Sequence, residues 1–509
     1  MGACPATRWI LSLSCLITLN ATANDDEVFN QVIKRAQSLA EAPYQAPDVS
    51  LPSTLQELSY DDYRQIRFNP ERAYWQDESP FSLQLFHSGF LFQTPVKINI
   101  IDSSNISALP FSTDDFNYDG EASSLLEHDL TGSGHAGFRL HYPINTDQYA
   151  DEFAVFLGAS YFRLIGSEQV YGLSTRGIAI DTASPKGEEF PTFREFWLYK
   201  PHKESSTFTL LALMDSPSLS GAYRFVIQPG ENTHAEIEAM LFARKDIDKL
   251  GIAPLTSMFA FGEISPERPD DFRAQVHDSD GLLIHTGANE WIWRPLSNPS
   301  EVHISAFLDS APNGFGLMQR ERDFSRYLDL EAHYHRRPSQ WVEPIESWGA
   351  GHVELVEIPT PDETHDNIVA YWVAEDTLRA GESRRLHYRT YTLNTQPDEH
   401  TLGQVIRTRH GSAAVPGQQD SSSANQRQFI VDFHGGVLKD IASDQPVELD
   451  ISSLSGEILL PQVTTLPEGG WRARFRIPVD SSPNDIRLRL QLNNEPVSET
   501  WNYVWYPDA

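Results

Sequence analysis

The chain has 509 residues, 40% of them hydrophobic, with 39 Lys and Arg against 71 Asp and Glu and a formal net charge of −32. That length allows two or three domains, and that apolar content supplies a sizeable core, which excludes wholesale disorder. The acidic balance argues against nucleic acid as the main partner, because a phosphate backbone calls for a Lys/Arg footprint, and against a polybasic membrane-surface role. A neutral or cationic partner is expected. The 27 Phe, 18 Tyr and 11 Trp supply flat faces, most of them for the core and some suited to stacking on sugars.

The first 23 residues predict a secretory leader: Arg8, the apolar run Trp9–Leu19, then Ala21-Thr22-Ala23 as cleavage signal. The mature chain is expected to start at Asn24 and to be exported, to the periplasm in a host with two membranes. The single arginine speaks against twin-arginine export, and Ser12 against lipidation at Cys15. Cys4 and Cys15 both lie in the leader. The mature chain is therefore expected to have no disulfide, no thiol catalysis and no thiolate metal site. No later apolar run approaches the ~18 residues of a membrane span.

An amphipathic helix is predicted next, capped by Asn24 or Asp25, with Val28, Val32, Ile33, Ala36 and Leu39 at helical spacing. A helical turn is predicted over Ser59–Ile66. Most of the remainder reads as strands separated by turn-rich clusters. Phe81, Leu83 and Leu85 alternate, as do Val96, Ile98 and Ile100. Phe138–Tyr142, Tyr161–Ile165, Phe193–Leu198, Phe208–Met214, Tyr223–Ile227, Val302–Leu308, Val353–Ile358 and Ile368–Val373 follow. Many strands and few helices predict an all-β protein of sandwich or barrel layers. Gly411–Gln426 reads as an exposed loop without a core. Beyond it Trp471–Ile477 and Ile486–Leu492 alternate strictly. With Phe429–Phe433, Val447–Ile451, Glu457–Leu460 and Trp501–Trp505 they predict an immunoglobulin-like sandwich without its usual cysteines. The expected division is a leader over 1–23, a large β-domain over 24–397, a linker and connecting strand over 398–426, and a small sandwich over 427–509.

Phosphate loops, dinucleotide fingerprints and HExxH are absent, and no cofactor is expected. His333-Tyr334-His335 would set two imidazoles on one strand face, but no third ligand is identifiable, so no metal site is predicted. His277-Asp278-Ser279-Asp280-Gly281 resembles the start of a calcium loop; Asn289 stands where the bidentate glutamate belongs, and the plainer reading is a tight turn with a left-handed glycine. A second acidic cluster, Asp362-Glu363-Thr364-His365-Asp366, lies in a loop between two apolar strands. Between the clusters come Glu290-Trp291-Ile292-Trp293-Arg294-Pro295, with both tryptophans on one face, and Arg320-Glu321-Arg322, then Tyr334. Two separated carboxylates among aromatic rings and arginines suit glycoside chemistry: one acid protonates the leaving oxygen and the other activates water or attacks. A binding module and a purely structural sandwich remain open on the same residues.

Gly158-Ala-Ser-Tyr-Phe-Arg163, Tyr171-Gly-Leu-Ser174, Pro254-Leu-Thr-Ser-Met-Phe259, Glu290-Trp-Ile-Trp-Arg-Pro295 and Glu354-Leu-Val-Glu-Ile-Pro-Thr360 are long, specific stretches. Through them the chain, from about Tyr44 onward, resembles the osmoregulated periplasmic glucan biosynthesis proteins of the G and D type, and the G type more closely because the leader has one arginine. The resemblance implies a large galactose-mutarotase-like β-sandwich followed by a small immunoglobulin-like one. It also implies a periplasmic role in making glucans with a β-1,2-linked backbone, by hydrolysis in some members and transglycosylation in others. It assigns the acid to Asp366 and the second catalytic aspartate to Asp278, with Asp280 the other candidate. Glu363 and Tyr334 match positions near the reacting sugar, and Trp291, Trp293, Arg322 and Asp280 are taken as further substrate contacts. His365 departs from the polar residue expected there. Asp362 and Glu363 are expected to hold Asp366 protonated by repulsion. Two functional readings stand: an enzyme acting on β-1,2-glucan, and a non-catalytic glucan-binding partner of the inner-membrane glucosyltransferase.

Overall fold

The computed structural model describes residues 23–47, 51–265, 269–413, 425–479 and 483–507. The leader up to Thr22 and residues 414–424 of the predicted loop lie outside the described residues. The described strands form one ten-stranded, one fifteen-stranded and one four-stranded sheet, with two small two-stranded pairings. The chain is all-β in class, as its alternating patterns predict.

The predicted first helix spans Ala23–Glu41. Its apolar stripe, Val28, Phe29, Val32 and Ala36, is buried on Trp197, Leu211, Leu213 and Ala222 of the fifteen-stranded sheet. The second helical segment is one turn, Tyr60–Tyr63, started by Ser59, whose side chain accepts from the Asp62 N–H.

The ten-stranded sheet runs from Ser82–His87 through His135–Tyr142, Asp151–Leu157, Tyr161–Leu164, Ser174–Arg176, Leu250–Ser257, Ile368–Ala374 and Gly351–Glu357 to His303–Asp309. The fifteen-stranded sheet packs across it. Its middle is Thr192–Tyr199, Phe208–Asp215, Leu219–Gln228, His234–Ala243, Ser383–Leu393 and Ser339–Pro344. The inner faces meet through aromatic rings: Phe156 and Phe162 each stand 5.3 Å, edge to face, from Phe225, and Phe138 stands 5.0 Å from Phe196. Each such pair adds roughly 0.5–1.5 kcal/mol beyond its buried area.

The C-terminal sandwich is built from the four-stranded sheet (Gln404–Ser412, Gln426–His434, Trp471–Pro478, Leu459–Thr465) facing Glu448–Ser453, Asn484–Leu492 and Thr500–Trp505. Phe429 and Phe475 each lie 6.2 Å from Trp501 across that core. The three facing strands are not a separate sheet. Thr500–Trp505 pairs in parallel with Trp291–Pro295, Ile292 opposite Thr500 and Trp293 opposite Trp501, so one sheet runs through both sandwiches.

The segment that positions the site crosses between sheets. After Leu250–Ser257 the chain pairs Phe259–Phe261 with Val276–His277. It then passes through Asp278-Ser279-Asp280 into the long sheet at Gly281–His285. Gly281 is not left-handed, as a tight turn would require. It is a glycine because a Cβ would lie 2.1 Å from the Trp293 ring. His333-Tyr334-His335 is likewise not a strand: His333 is left-handed (φ 48°), and Tyr334–Arg336 is a single 3-10 turn.

Candidate active site

Both candidate catalytic aspartates hang from one three-residue scaffold, Ser257-Met258-Phe259. On one side Asn367 donates its N–H to Ser257 O at 3.1 Å, and its side-chain amide accepts from Phe259 N at 2.8 Å while donating to Phe259 O and Ile358 O at 3.0 Å. Buried and satisfied on all three counts, Asn367 fixes the residue before it, Asp366. On the other side Asp278 N donates to Met258 O at 2.8 Å, and the Ser279 and Ser257 hydroxyls meet at 2.8 Å.

The two carboxylates differ in setting. Asp278 is 4% exposed and ion-paired to Arg337. Burial raises its pKa to about 6; Arg337 opposes the shift and the nearby Asp366 carboxylate adds to it. Asp366 has an accessible side chain, yet desolvation by the surrounding protein also raises its pKa, against the pull of Arg163, Arg176 and Arg337. An open side chain that is nonetheless desolvated stands in a concave surface. The expected repulsion from its sequence neighbours is not the cause. Glu363 is tied to Arg273 at 2.8 Å, and Asp362 accepts from the N–H and hydroxyl of Thr364. His365 faces Thr364, 2.9 Å away.

Four arginines that sequence reasoning left unassigned shape this cleft. Arg163 is exposed, its Nε held by Ser174 Oγ at 2.7 Å. Arg176 is buried between Thr256 and Glu188 and lies over the Tyr161 and Phe190 rings at 4.8 and 5.3 Å. Arg337 bonds Ala332 O through Nε and covers the Tyr334 ring at 4.3 Å. A Cβ on Gly172 would come within 2.9 Å of the Arg337 side chain, so the 171–174 stretch requires glycine there. Arg273 joins three loops by binding Asp271, Asp329 and Glu363, each within 2.9 Å. Arg163 and Arg176 fall in or beside the motifs that carry the family resemblance, while Arg273 and Arg337 lie well outside them; single arginines with long-range partners give no local pattern.

The remaining predicted residues separate. Tyr334 is 2% exposed, its ring under Arg337, and its phenol is influenced by Glu363 and Asp278. Asp278, Asp366, Glu363 and Tyr334 thus share one neighbourhood. Asp280, Trp293 and Arg322 instead line a second cavity, between the large domain and the C-terminal sandwich. Trp291 joins neither group. It is 5% exposed and packs on His285, Trp341 and His400 at 4.0, 5.8 and 4.6 Å. The two tryptophans share a strand face, but Arg320 lies 3.6 Å over the Trp293 ring and His285, Trp341 and His400 enclose Trp291, so neither offers an open stacking surface to the cleft.

By fold this is an all-β protein of two sandwiches joined by a common sheet. The family model described as "Periplasmic glucan biosynthesis protein, MdoG" matches residues 28–505, and the chain belongs to that family. It is 46% identical over 485 residues to "Glucans biosynthesis protein G" of Ralstonia nicotianae, covering 94% of this chain and 96% of that one. Among solved structures, a polysaccharide lyase is distantly similar (11% identity, TM-score 0.18, 73% of this chain and 44% of that one). So is a galactose mutarotase related enzyme from Lactobacillus acidophilus (9% identity, TM-score 0.22, 59% of this chain and 98% of that one). No helix among the described residues is long and apolar enough to cross a membrane.

Proposed function

We propose that the protein is a periplasmic glycoside hydrolase of glucan biosynthesis that cleaves β-1,2-linked glucan, with Asp366 as general acid and Asp278 as base. One observation carries the reading: two aspartates with raised pKa values are fixed to the same segment, 257–259, beside arginines and aromatic rings. Asp366 is accessible and desolvation shifts its pKa upward, the direction a general acid requires. Asp278 titrates near 6, so at neutral pH it is ionised and still basic enough to accept a proton. Arg337 occupies one of its oxygens, and it is nearly buried. It therefore takes the proton of the attacking water through bound waters or a sugar hydroxyl. Arg163 and Arg176 hold substrate hydroxyls. The expected stereochemical outcome is inversion.

Product analysis on purified linear β-1,2-glucan tests the reading. Shortened chains support hydrolysis, and binding without turnover would replace it with the glucan-binding partner of the inner-membrane glucosyltransferase. The pH profile adds a signed prediction. A base must be ionised, so kcat/KM falls as pH drops through about 6. In Arg337→Met, the cation opposing protonation of Asp278 is gone, and this acid limb moves to higher pH. A limb unmoved in that variant would remove Asp278 from the base role.

A further inference from the structure

The second cavity holds about 770 Å³, within the ~300–1,000 Å³ range of small-molecule sites. The wall between it and the cleft is His277 and Gln319. His277 Nδ1 donates to Gln319 Oε1 at 2.7 Å, and Gln319 Nε2 donates to His277 O at 2.7 Å and to Tyr334 O at 3.2 Å. Asp278, Glu363, Tyr334 and Asp366 are not part of its lining. The far wall comes from the C-terminal sandwich, through the strand Gln404–Ser412.

Three residues that line this cavity each carry a polar atom that the protein leaves unpaired and closed to solvent, so a ligand reaches these atoms only as the side chains turn toward it. Asp280 spends Oδ2 on the Arg320 and Glu321 N–H groups at 3.1 and 3.2 Å, while Oδ1 is buried without a hydrogen bond among the described residues. Gln275 is 3% exposed, and its Nε2 is unpartnered in the same sense. Arg322 reaches only carbonyls and one serine hydroxyl; its Nε has no partner, and it forms no ion pair among the described residues. Buried polar groups of this kind are costly unless something pairs with them. One carboxylate acceptor with amide and guanidinium donors around it matches hydroxyls, each of which both donates and accepts. Three arginines and four carboxylates line the space, so neither an anion nor a cation finds a strong field. Trp293 and Phe259 supply the apolar part of the wall.

We propose that the cavity between the two sandwiches is a separate binding site for a neutral polyhydroxy ligand, a sugar of one or two rings, held by Asp280, Gln275 and Arg322. The site stands on its own chemistry; the choice of a β-1,2-linked probe rests on the function proposed above.

The full mature chain carrying Asp366→Asn, which removes the proposed acid, is titrated calorimetrically with D-glucose and with the β-1,2-linked glucose disaccharide. Asp366→Asn/Gln275→Leu and Asp366→Asn/Arg322→Met are titrated beside it, with unfolding midpoints measured for all three. Two classes of site are expected for at least one of the two ligands. One class is lost in the Gln275→Leu protein and weakened at least tenfold in the Arg322→Met protein, and the other is unchanged. Glucose filling that class marks a monosaccharide site, and disaccharide alone a two-ring site. A single class of site, indifferent to both variants, overturns the proposal and leaves water as the occupant. Should either variant fail to fold, a crystal of the Asp366→Asn protein soaked in the disaccharide decides: density between Asp280 and Arg322 supports the site, and water there overturns it. Sugar in the cavity of a protein whose wild type does not cleave β-1,2-glucan would refute the proposed hydrolase while leaving this site standing.

Discussion

Asp366→Asn is expected to slow cleavage of linear β-1,2-glucan by roughly 10²–10⁴-fold, the usual worth of a positioned general acid. The amide has nearly the shape of the carboxylic acid but gives up no proton, and its anchor Asn367 is untouched. Folding and glucan affinity should therefore persist, because Arg163, Arg176, Tyr161 and Phe190 remain in place. The measurement is reducing-end release under single-turnover conditions, paired with calorimetric binding. Wild-type rates in Asp366→Asn would end its candidacy as the acid. Loss of binding together with rate would make it a substrate contact instead.

The largest expected effect on stability lies at Glu499, which is fully buried. Its carboxylate accepts from Arg320 at 2.6 and 2.9 Å and from Val405 N at 2.7 Å, and it meets His400 Nε2 at 2.9 Å. Arg320 in turn lies 3.6 Å above the Trp293 ring. Burial alone would raise the Glu499 pKa; Arg320 and His400 overcome it and hold it down at about 2. A depressed carboxylate stabilises the fold above its unfolded pKa of about 4.3, and that contribution is lost as pH falls toward 2. Glu499→Ala leaves a guanidinium without its partner at the junction of the sandwiches, and is expected to cost about 3–5 kcal/mol. Denaturant unfolding at neutral pH reads this as a lower midpoint. An unchanged midpoint would show that the junction does not depend on this ion pair.

Local patterns carried most of the strands and little of their partnership. The alternation in Trp471–Pro478 and Asn484–Leu492 appears directly as buried and solvent-facing positions. His234–Ala243 alternates as cleanly, but small residues at Ala235, Ala239 and Ala243 mute its apolar signal. Nothing near Trp291–Pro295 announces that its neighbour is Thr500–Trp505. The tryptophans there have the composition of a stacking surface, and only partners distant in sequence, Arg320, Trp341 and His400, turn them into core. The aspartates were legible as acidic clusters in loops and through the family motifs. The desolvation that raises the Asp366 pKa was not, nor were Arg163, Arg176 and Arg337, which oppose it, because both depend on chain segments distant in sequence. Asn367 shows the same limit: its type suits a turn, while its work is to bind strands that meet only in the folded chain.

The sheet common to both sandwiches makes the C-terminal domain a protective cover as well as a neighbour. Thr500–Trp505 occupies the hydrogen-bonding edge of Trp291–Pro295. A chain cut short before Gln426 would keep every strand of the large sandwich but leave that edge open, with Trp291, Ile292 and Trp293 along it. An unpaired, apolar edge is a template for strands of other molecules. Such a fragment would therefore emerge as a self-associating species rather than as a smaller monomer, and the two domains are in this sense inseparable by simple truncation.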